Sequence, residues 1–190
     1  ITLKPKKHMR KKFFATIVAL MGAVTVLALA ACGSQKKGEA DGQEEAAKPK
    51  ILVIYYSQTG TTKAVAEEIQ KQLGADIEAV ECEVPYDGDF NQTIERCQKE
   101  MAEGVTPELK PLKSNIEDYD IIFLGYPVWF GTYALPVQKL LQEIDLSGKT
   151  VIPFCTFGSG GIDETVAQLR AELPGADVRD GYGVRTARVD

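Results

Sequence analysis

Residues 51–69 read ILVIYYSQTGTTKAVAEEI, and three local patterns follow one another inside them. Ile51 to Tyr56 carries no charge and is almost wholly β-branched or aromatic, the pattern of a strand buried on both faces in the middle of a parallel sheet. Ser57, Gln58, Thr59, Gly60, Thr61 and Thr62 then form a small, hydroxyl-rich turn. Ala66, Ile69 and Leu73 recur at helical spacing, and Gly74 stands where a helix would stop. The unit is strand, hydroxyl loop, helix.

That order makes an anion site. The first N–H groups of a helix lack intrahelical partners, and the helix dipole favours negative charge there. The hydroxyls of Ser57, Thr59, Thr61 and Thr62 add donors, and Gly60 permits close backbone approach. The expected ligand is a phosphate monoester held by neutral groups. A nucleoside-triphosphate loop would end in Gly-Lys-Ser/Thr, but Lys63 comes too late and without the second glycine. The dinucleotide pattern G-x-G-x-x-G is absent here. On these residues alone, an ordinary strand-to-helix turn with a threonine cap stays open, because turns and caps use the same residue types.

Tyr55-x-Ser57-x-x-Gly60-x-Thr62-x-x-x-Ala66-x-x-Ile69 resembles the N-terminal signature of the flavodoxin family. The resemblance runs from Lys50 to the C-terminus. It implies an α/β fold with an open parallel sheet of strand order 2-1-3-4-5, and FMN whose phosphate sits on Ser57, Gln58, Thr59, Gly60, Thr61 and Thr62.

Two later stretches support it. Tyr119 to Gly125 reads as a second buried strand and leads into Tyr126-Pro127-Val128-Trp129-Phe130-Gly131-Thr132. Pro136 then opens a helix carrying Val137, Leu140, Leu141 and Ile144. α/β sheets place ligands at the carboxyl ends of strands, and a planar heterocycle stacks well on Trp or Tyr. Read without the resemblance, Trp129 and Phe130 plug the top of the core equally well. Lys149 to Phe154 is a third strand, opening into Cys155-Thr156-Phe157-Gly158-Ser159-Gly160-Gly161 before a helix with Ile162, Val166, Leu169 and Leu173. The resemblance implies that Pro127, Val128, Trp129, Phe130 and Gly131 line one side of the flavin, and Thr156, Phe157, Gly158, Gly160 and Gly161 the other.

Elsewhere, Asp76 to Val84 reads as an edge strand, Asn91 to Glu103 as a helix with Ile94, Cys97 and Met101 on one face, and Gly104 to Asn115 as a long loop. Ala176 to Arg188 holds the last strand, marked by Val178 and Val184. No amphipathic helix remains after it. The resemblance expects one more, so either the sequence stops short or the sheet face near the first strand is left partly exposed. Cys82, Cys97 and Cys155 are an odd set without a C-x-x-C and read as small buried residues, with Cys155 at a strand end facing the site.

Residues 1–31 read as a targeting segment, with Ile1 to His8 as an upstream extension of no legible role. Met9-Arg10-Lys11-Lys12 is positive, Phe13 to Ala31 is uncharged, and the run ends Leu29-Ala30-Ala31-Cys32. This resembles a bacterial lipoprotein signal with lipidation of Cys32; a conventional secretory signal or an uncleaved membrane helix are the alternatives. Residues 32–49 hold no large apolar side chain and read as a flexible tether, leaving 50–190 as the folded domain.

The chain has 22 basic and 27 acidic residues, net −5. Six of the basic residues and none of the acidic ones precede Cys32, so cleavage there leaves 16 − 27 = −11. That balance argues against a nucleic-acid surface and suits docking to basic redox partners, as well as plain solubility. No side chain has the look of a nucleophile or paired acid and base, so a bound flavin would carry the chemistry. The expected function is an electron carrier held by lipid outside the cytoplasmic membrane, passing electrons to a redox protein or small-molecule acceptor. The alternatives are an FMN-dependent NAD(P)H or quinone reductase, and a non-redox lipoprotein binding another phosphorylated ligand.

Overall fold

The structure is a computed structural model, which describes residues 48–189. The targeting segment, Cys32 and most of the tether lie outside the described residues. β1 (Ile51–Tyr55) is the uncharged run, and Leu52, Val53 and Ile54 are fully buried. α1 (Thr61–Leu73) follows and ends at Gly74, whose left-handed φ of 64° supplies the helix stop.

The remaining elements are β2 (Asp76–Ala79), α2 (Phe90–Glu103), β3 (Ile121–Trp129), β4 (Thr132–Tyr133), α3 (Leu135–Glu143), β5 (Thr150–Phe157), α4 (Asp163–Glu172), β6 (Asp177–Val178) and β7 (Tyr182–Arg185). The sheet order is β2-β1-β3-β5-β6, with parallel pairing throughout that path. Counting only these strands, it is the 2-1-3-4-5 order expected from the sequence. β4 adds an antiparallel pair to the end of β3, and β7 continues the fifth strand beside β5.

Residues in register across parallel strands share a face. Leu52, Ile54, Ile122, Leu124, Val151 and Cys155 build one core with Tyr133, Val137 and Leu140 around α3 and Leu169 of α4. On the other face α1 packs against the sheet, and its Val65, Ala66 and Ile69 are buried. Gly125 lies there beside Phe154, and a Cβ at 125 would stand 2.1 Å from the Phe154 ring. Only glycine leaves room for that ring.

β2 ends at Ala79, five residues before the Val84 end expected from the sequence. The chain leaves the sheet because Glu81 to Glu83 pairs instead with the long loop: Glu83 N–H donates to the Glu108 carbonyl (2.9 Å) and Lys110 N–H to the Glu81 carbonyl (2.8 Å). Glu78 points inward, and its carboxylate accepts from the N–H groups of Lys113 and Ser114 at 2.6 and 2.8 Å. The acid in this edge strand anchors the loop rather than facing water.

The fifth strand is broken in two. β6 pairs with the start of β5 (Thr150 with Asp177) and β7 with its end (Phe154 with Tyr182), so the register offset changes from 177 − 150 = 27 to 182 − 154 = 28. The slip falls opposite Pro153, which has no N–H to offer a ladder. A Cβ on Gly181 would meet the Pro153 carbonyl oxygen at 2.6 Å, so the bulge needs glycine. Arg170 clasps it from α4, donating to the Val178 carbonyl (3.1 Å) and to Asp180 (2.7 Å).

After β7 the chain makes one 3-10 turn, Thr186–Arg188, and the described residues hold four α-helices. The partly exposed sheet face, one of the two alternatives, is not seen among the described residues: Val53, Phe123 and Ile152 are all buried. Cys155 is a small buried residue as expected, but not at a strand end facing the site. It lies within β5, fully buried in the core, and burial pushes its thiol up to about 12. Cys82 and Cys97 are buried too, with thiols pushed up to about 11. Such thiols are poor nucleophiles at neutral pH.

Candidate functional site

β1, β3 and β5 run parallel and adjacent, so the segments that follow them share one end of the sheet. The first is 57–60. Gly60 caps α1 with φ 86° and no side chain caps the helix, so the threonine cap is not used. The first helical bond runs from Ala64 N–H to the Gly60 carbonyl at 3.0 Å. The amides of Thr61, Thr62 and Lys63 therefore lie outside the helix's own ladder. No acidic residue occupies the first turn. The Ser57 hydroxyl is buried and has no hydrogen-bond partner among the described residues. An orphaned buried hydroxyl costs about 1–3 kcal/mol, which an acceptor in the loop would recover. Thr59 and Thr61 are linked to each other at 3.1 Å, exposed to solvent.

Two of the loop's predicted contacts face elsewhere. The Gln58 amide donates to Thr93 Oγ1 (2.6 Å) and to the Tyr86 carbonyl (3.3 Å), so its side chain is turned to α2. Thr62 is buried, and its hydroxyl bonds that of Thr156 at 2.8 Å. This pair ties the first turn of α1 to β5 and so joins the 57–60 turn to the third segment. Both residues leave only backbone for a ligand in the loop.

The second segment is a hairpin, not the loop read from sequence. β3 continues through Pro127, Val128 and Trp129 because Val128 and Trp129 pair with Tyr133 and Thr132 of β4. The two-residue turn is Phe130-Gly131, with φ of 51° and 85°. Positive φ at both positions suits a tight hairpin, but a phenylalanine there is strained. Phe130 is 51% exposed. Trp129 stands edge-on to Tyr56 (ring centroids 5.7 Å apart) and Tyr86 (5.2 Å). Behind Tyr86, Arg96 stacks on its ring at 3.9 Å and pairs with Glu100 at 2.8 Å, while the Tyr86 hydroxyl donates to the same carboxylate. Burial and that carboxylate raise the Tyr86 phenol, so it stays protonated. On its other flank the hairpin is bound to α4: Tyr126 donates to Thr165 (2.9 Å), Thr132 to Gln168 (2.6 Å) and Tyr133 to Glu172.

In the third segment, Thr156 and Phe157 belong to β5, which runs on because β7 pairs with it through Arg185. Gly158 to Gly161 forms the turn before α4. Added Cβ atoms at Gly158, Gly160 and Gly161 would meet nothing within 4 Å, nor would one at Gly60 or Gly131. The glycines thus border open space at the sheet end. Phe157 is half-buried, lodged against Gly183, where a Cβ would come within 2.9 Å of its ring.

The structure brings the three predicted segments to one end of the sheet. Sequence reading missed Tyr56 and Tyr86, which hold Trp129. Tyr86 sits in a Pro-Tyr-Asp-Gly-Asp turn that looks like surface. The signal available was the capping box Asp89-x-x-Gln92, which fixes where α2 starts and hence where that turn must point. The arrangement offers neutral donors for a phosphate and aromatic walls for a flat ring. None of residues 57–62, 127–131 or 156–161 has an ionisable side chain.

Comparison with known proteins agrees with this reading. Residues 50–188 match the family model described as Flavodoxin. Flavodoxin 1 of Shigella flexneri is 30% identical over 142 residues, covering 73% of this chain and 64% of that protein. The chain thus spans less than two thirds of that relative's length. Among solved structures, a candidate flavoprotein from Bacteroides eggerthii is 31% identical, with TM-score 0.66 over 75% of this chain and 94% of that one. A Lactobacillus acidophilus flavoprotein crystallised in complex with FMN is 26% identical, with TM-score 0.63 over 72% and 93%.

Proposed function

The chain belongs to the flavodoxin family, and from that premise we propose that it binds FMN at the heads of β1, β3 and β5 and serves as an electron carrier. The observation that carries the proposal is the buried Ser57 hydroxyl, without a partner among the described residues, beside the amides at the start of α1 that lie outside the helix's ladder. A phosphate oxygen is the acceptor that such a set of neutral donors fits. The similarity to the Lactobacillus acidophilus FMN complex supports the choice of ligand.

FMN supplies reversible electron uptake when bound. Ser57, Thr59, Thr61 and the amides of 61–63 hold the phosphate. Trp129, braced by Tyr56 and Tyr86, and Phe157, lodged against Gly183, hold the flat ring and exclude water from it. The backbone of Gly158 to Gly161 is placed for the ring's polar edge. The absence of ionisable side chains in these segments supports a carrier over an enzyme that must move protons to a substrate. An acidic chain, net −5, suits a basic redox partner. Lipid on Cys32 would hold the domain outside the cytoplasmic membrane.

The test is a visible spectrum of the purified chain with and without added FMN. Flavin absorbance that survives gel filtration in the wild type, and is lost in Ser57→Ala combined with Thr59→Val and Thr61→Val, supports the site. A colourless protein that refuses FMN sinks it. Rapid NADH or NADPH oxidation by the loaded protein would replace the carrier with a reductase. Retention of Cys32→Ser in the membrane fraction would remove the lipid anchor.

A further inference from the structure

Five large apolar side chains are prominently exposed among the described residues: Val84, Phe90, Met101, Val105 and Phe130. Four come from the stretch between β2 and β3 that contains α2, and the fifth is the tip of the β3–β4 hairpin. Phe90, Ile94, Cys97 and Met101 form one stripe along α2 at spacings of four, three and four residues. Only Cys97 in the stripe's middle is fully buried.

Between that stripe and the hairpin lies a cavity of about 210 Å³. Its walls include Ile94 and Cys97 on one side and Val128 and Trp129 on the other, and its mouth is flanked by Phe90 and Phe130, 78% and 51% exposed. None of residues 156–161 lines it, so it is separate from the space over the third segment. The capping box at Asp89 and Gln92 fixes the first turn of α2, and with it Phe90.

We propose that this cavity is a second small-molecule site, for a neutral, planar, one- or two-ring molecule of the quinone class. Three features define the occupant. The size suits it, since a cavity of roughly 150 Å³ accommodates benzene and this one is larger. The lining holds no charged side chain, and its thiol, Cys97, is pushed up to about 11 and stays neutral, which disfavours an anionic ligand. At the floor, the Thr93 hydroxyl accepts from the Gln58 amide, which leaves its own proton to donate to a ring carbonyl. Exposed phenyl rings at Phe90 and Phe130 in the lining suit contact with a flat apolar ring. Gln58, Val128, Trp129 and Phe130 also belong to the segments assigned to FMN, so the two ligands would be neighbours against one indole. Binding here does not require the FMN reading.

The test uses Trp129, the chain's single tryptophan. The full chain, FMN-free and FMN-loaded, is titrated with menadione while Trp129 fluorescence is followed. Saturable 1:1 quenching in both forms is expected, weakened at least tenfold by Ile94→Phe, which puts a ring in the cavity. Phe90→Ser, at an exposed position that does not threaten folding, should weaken it at least threefold. A sulfonated naphthoquinone should bind at least tenfold more weakly than menadione. Quenching that never saturates, that ignores both variants, or that vanishes on FMN loading overturns the proposal; if Ile94→Phe does not fold, Phe90→Ser decides. A chain that refuses FMN yet binds menadione with this mutational pattern removes the carrier reading and leaves this site standing. A chain that holds FMN and does not bind menadione does the reverse.

Discussion

The Ser57–Thr62 turn and the β3–β4 hairpin sit at the same end of the sheet and treat their polar groups in opposite ways. In the turn, a buried hydroxyl and three backbone amides have no partner among the described residues. In the hairpin, the hydroxyls of Tyr126, Thr132 and Tyr133 are all committed to α4. The turn is built to receive something, while the hairpin is built to hold an aromatic wall still. Stability and affinity should therefore be separable by mutation: hairpin-type contacts govern the first and turn-type groups the second.

The largest test of that division reaches the whole fold. Burial pushes the folded-state thiols of Cys82 and Cys97 up to about 11 and that of Cys155 up to about 12, from 9.0 for an ordinary thiol. Tyr126 and Tyr133 are also raised, chiefly by burial. A raised folded-state value means the unfolded chain gives up the proton first, so stability is fully present below pH 9 and is lost as pH climbs through 11 to 12. The urea midpoint should fall steadily above pH 9. The turn holds no titrating side chain, and a midpoint that stays flat to pH 12 would show that these buried groups contribute nothing.

Next comes affinity. Ser57→Ala with Thr59→Val and Thr61→Val should weaken FMN by about 100-fold, ~3 kcal/mol, by isothermal titration. Ser57→Ala alone should leave the FMN-free protein as stable as before, or up to ~1 kcal/mol more so, because its hydroxyl has no partner to lose. Thr62→Val should behave the other way round. It strands the buried Thr156 hydroxyl and should cost about 1–2 kcal/mol in urea unfolding, with FMN affinity changed less than threefold. An FMN defect without a stability loss would place Thr62 with the turn after all.

The smallest effect concerns strain. Phe130→Asn supplies the Asn-Gly pair that two-residue hairpins favour and should add about 0.5–1 kcal/mol, raising Tm by roughly 2–5 °C. No gain in a thermal melt would mean that Phe130 packs more usefully than its exposure indicates.

What the sequence made legible follows the same division. Uncharged runs at Ile51 and Ile121 announce central strands because nothing but burial explains them, and Gly74 announces a helix end because only its left-handed backbone suits the position. The hydroxyls of 57–62 announce a polar turn, but not which of them face a ligand: Thr62 and Gln58 are claimed by Thr156 and Thr93, partners 94 and 35 residues away. Strand ends were misread for a related reason. β5 runs on past Phe154 because β7 pairs with it from 28 residues away, which leaves no local mark, while β3 runs on past Gly125 into a hairpin with β4 whose Phe130-Gly131 turn lacks the Asn-Gly or Asp-Gly signature. Tyr86 escaped notice because a buried aromatic in a Gly- and Asp-rich turn looks like surface until Trp129 is seen against it.

Gly125 and Phe154 share one volume, the ring of one occupying the place of the other's missing side chain. Neither position can drift alone: alanine at 125 against an intact ring would overpack the face by about 1–3 kcal/mol. The two positions are thus constrained to change together. A library randomising both codons should return glycine with the aromatic, or a small side chain at 125 with a reduced one at 154, and should be empty of alanine with phenylalanine.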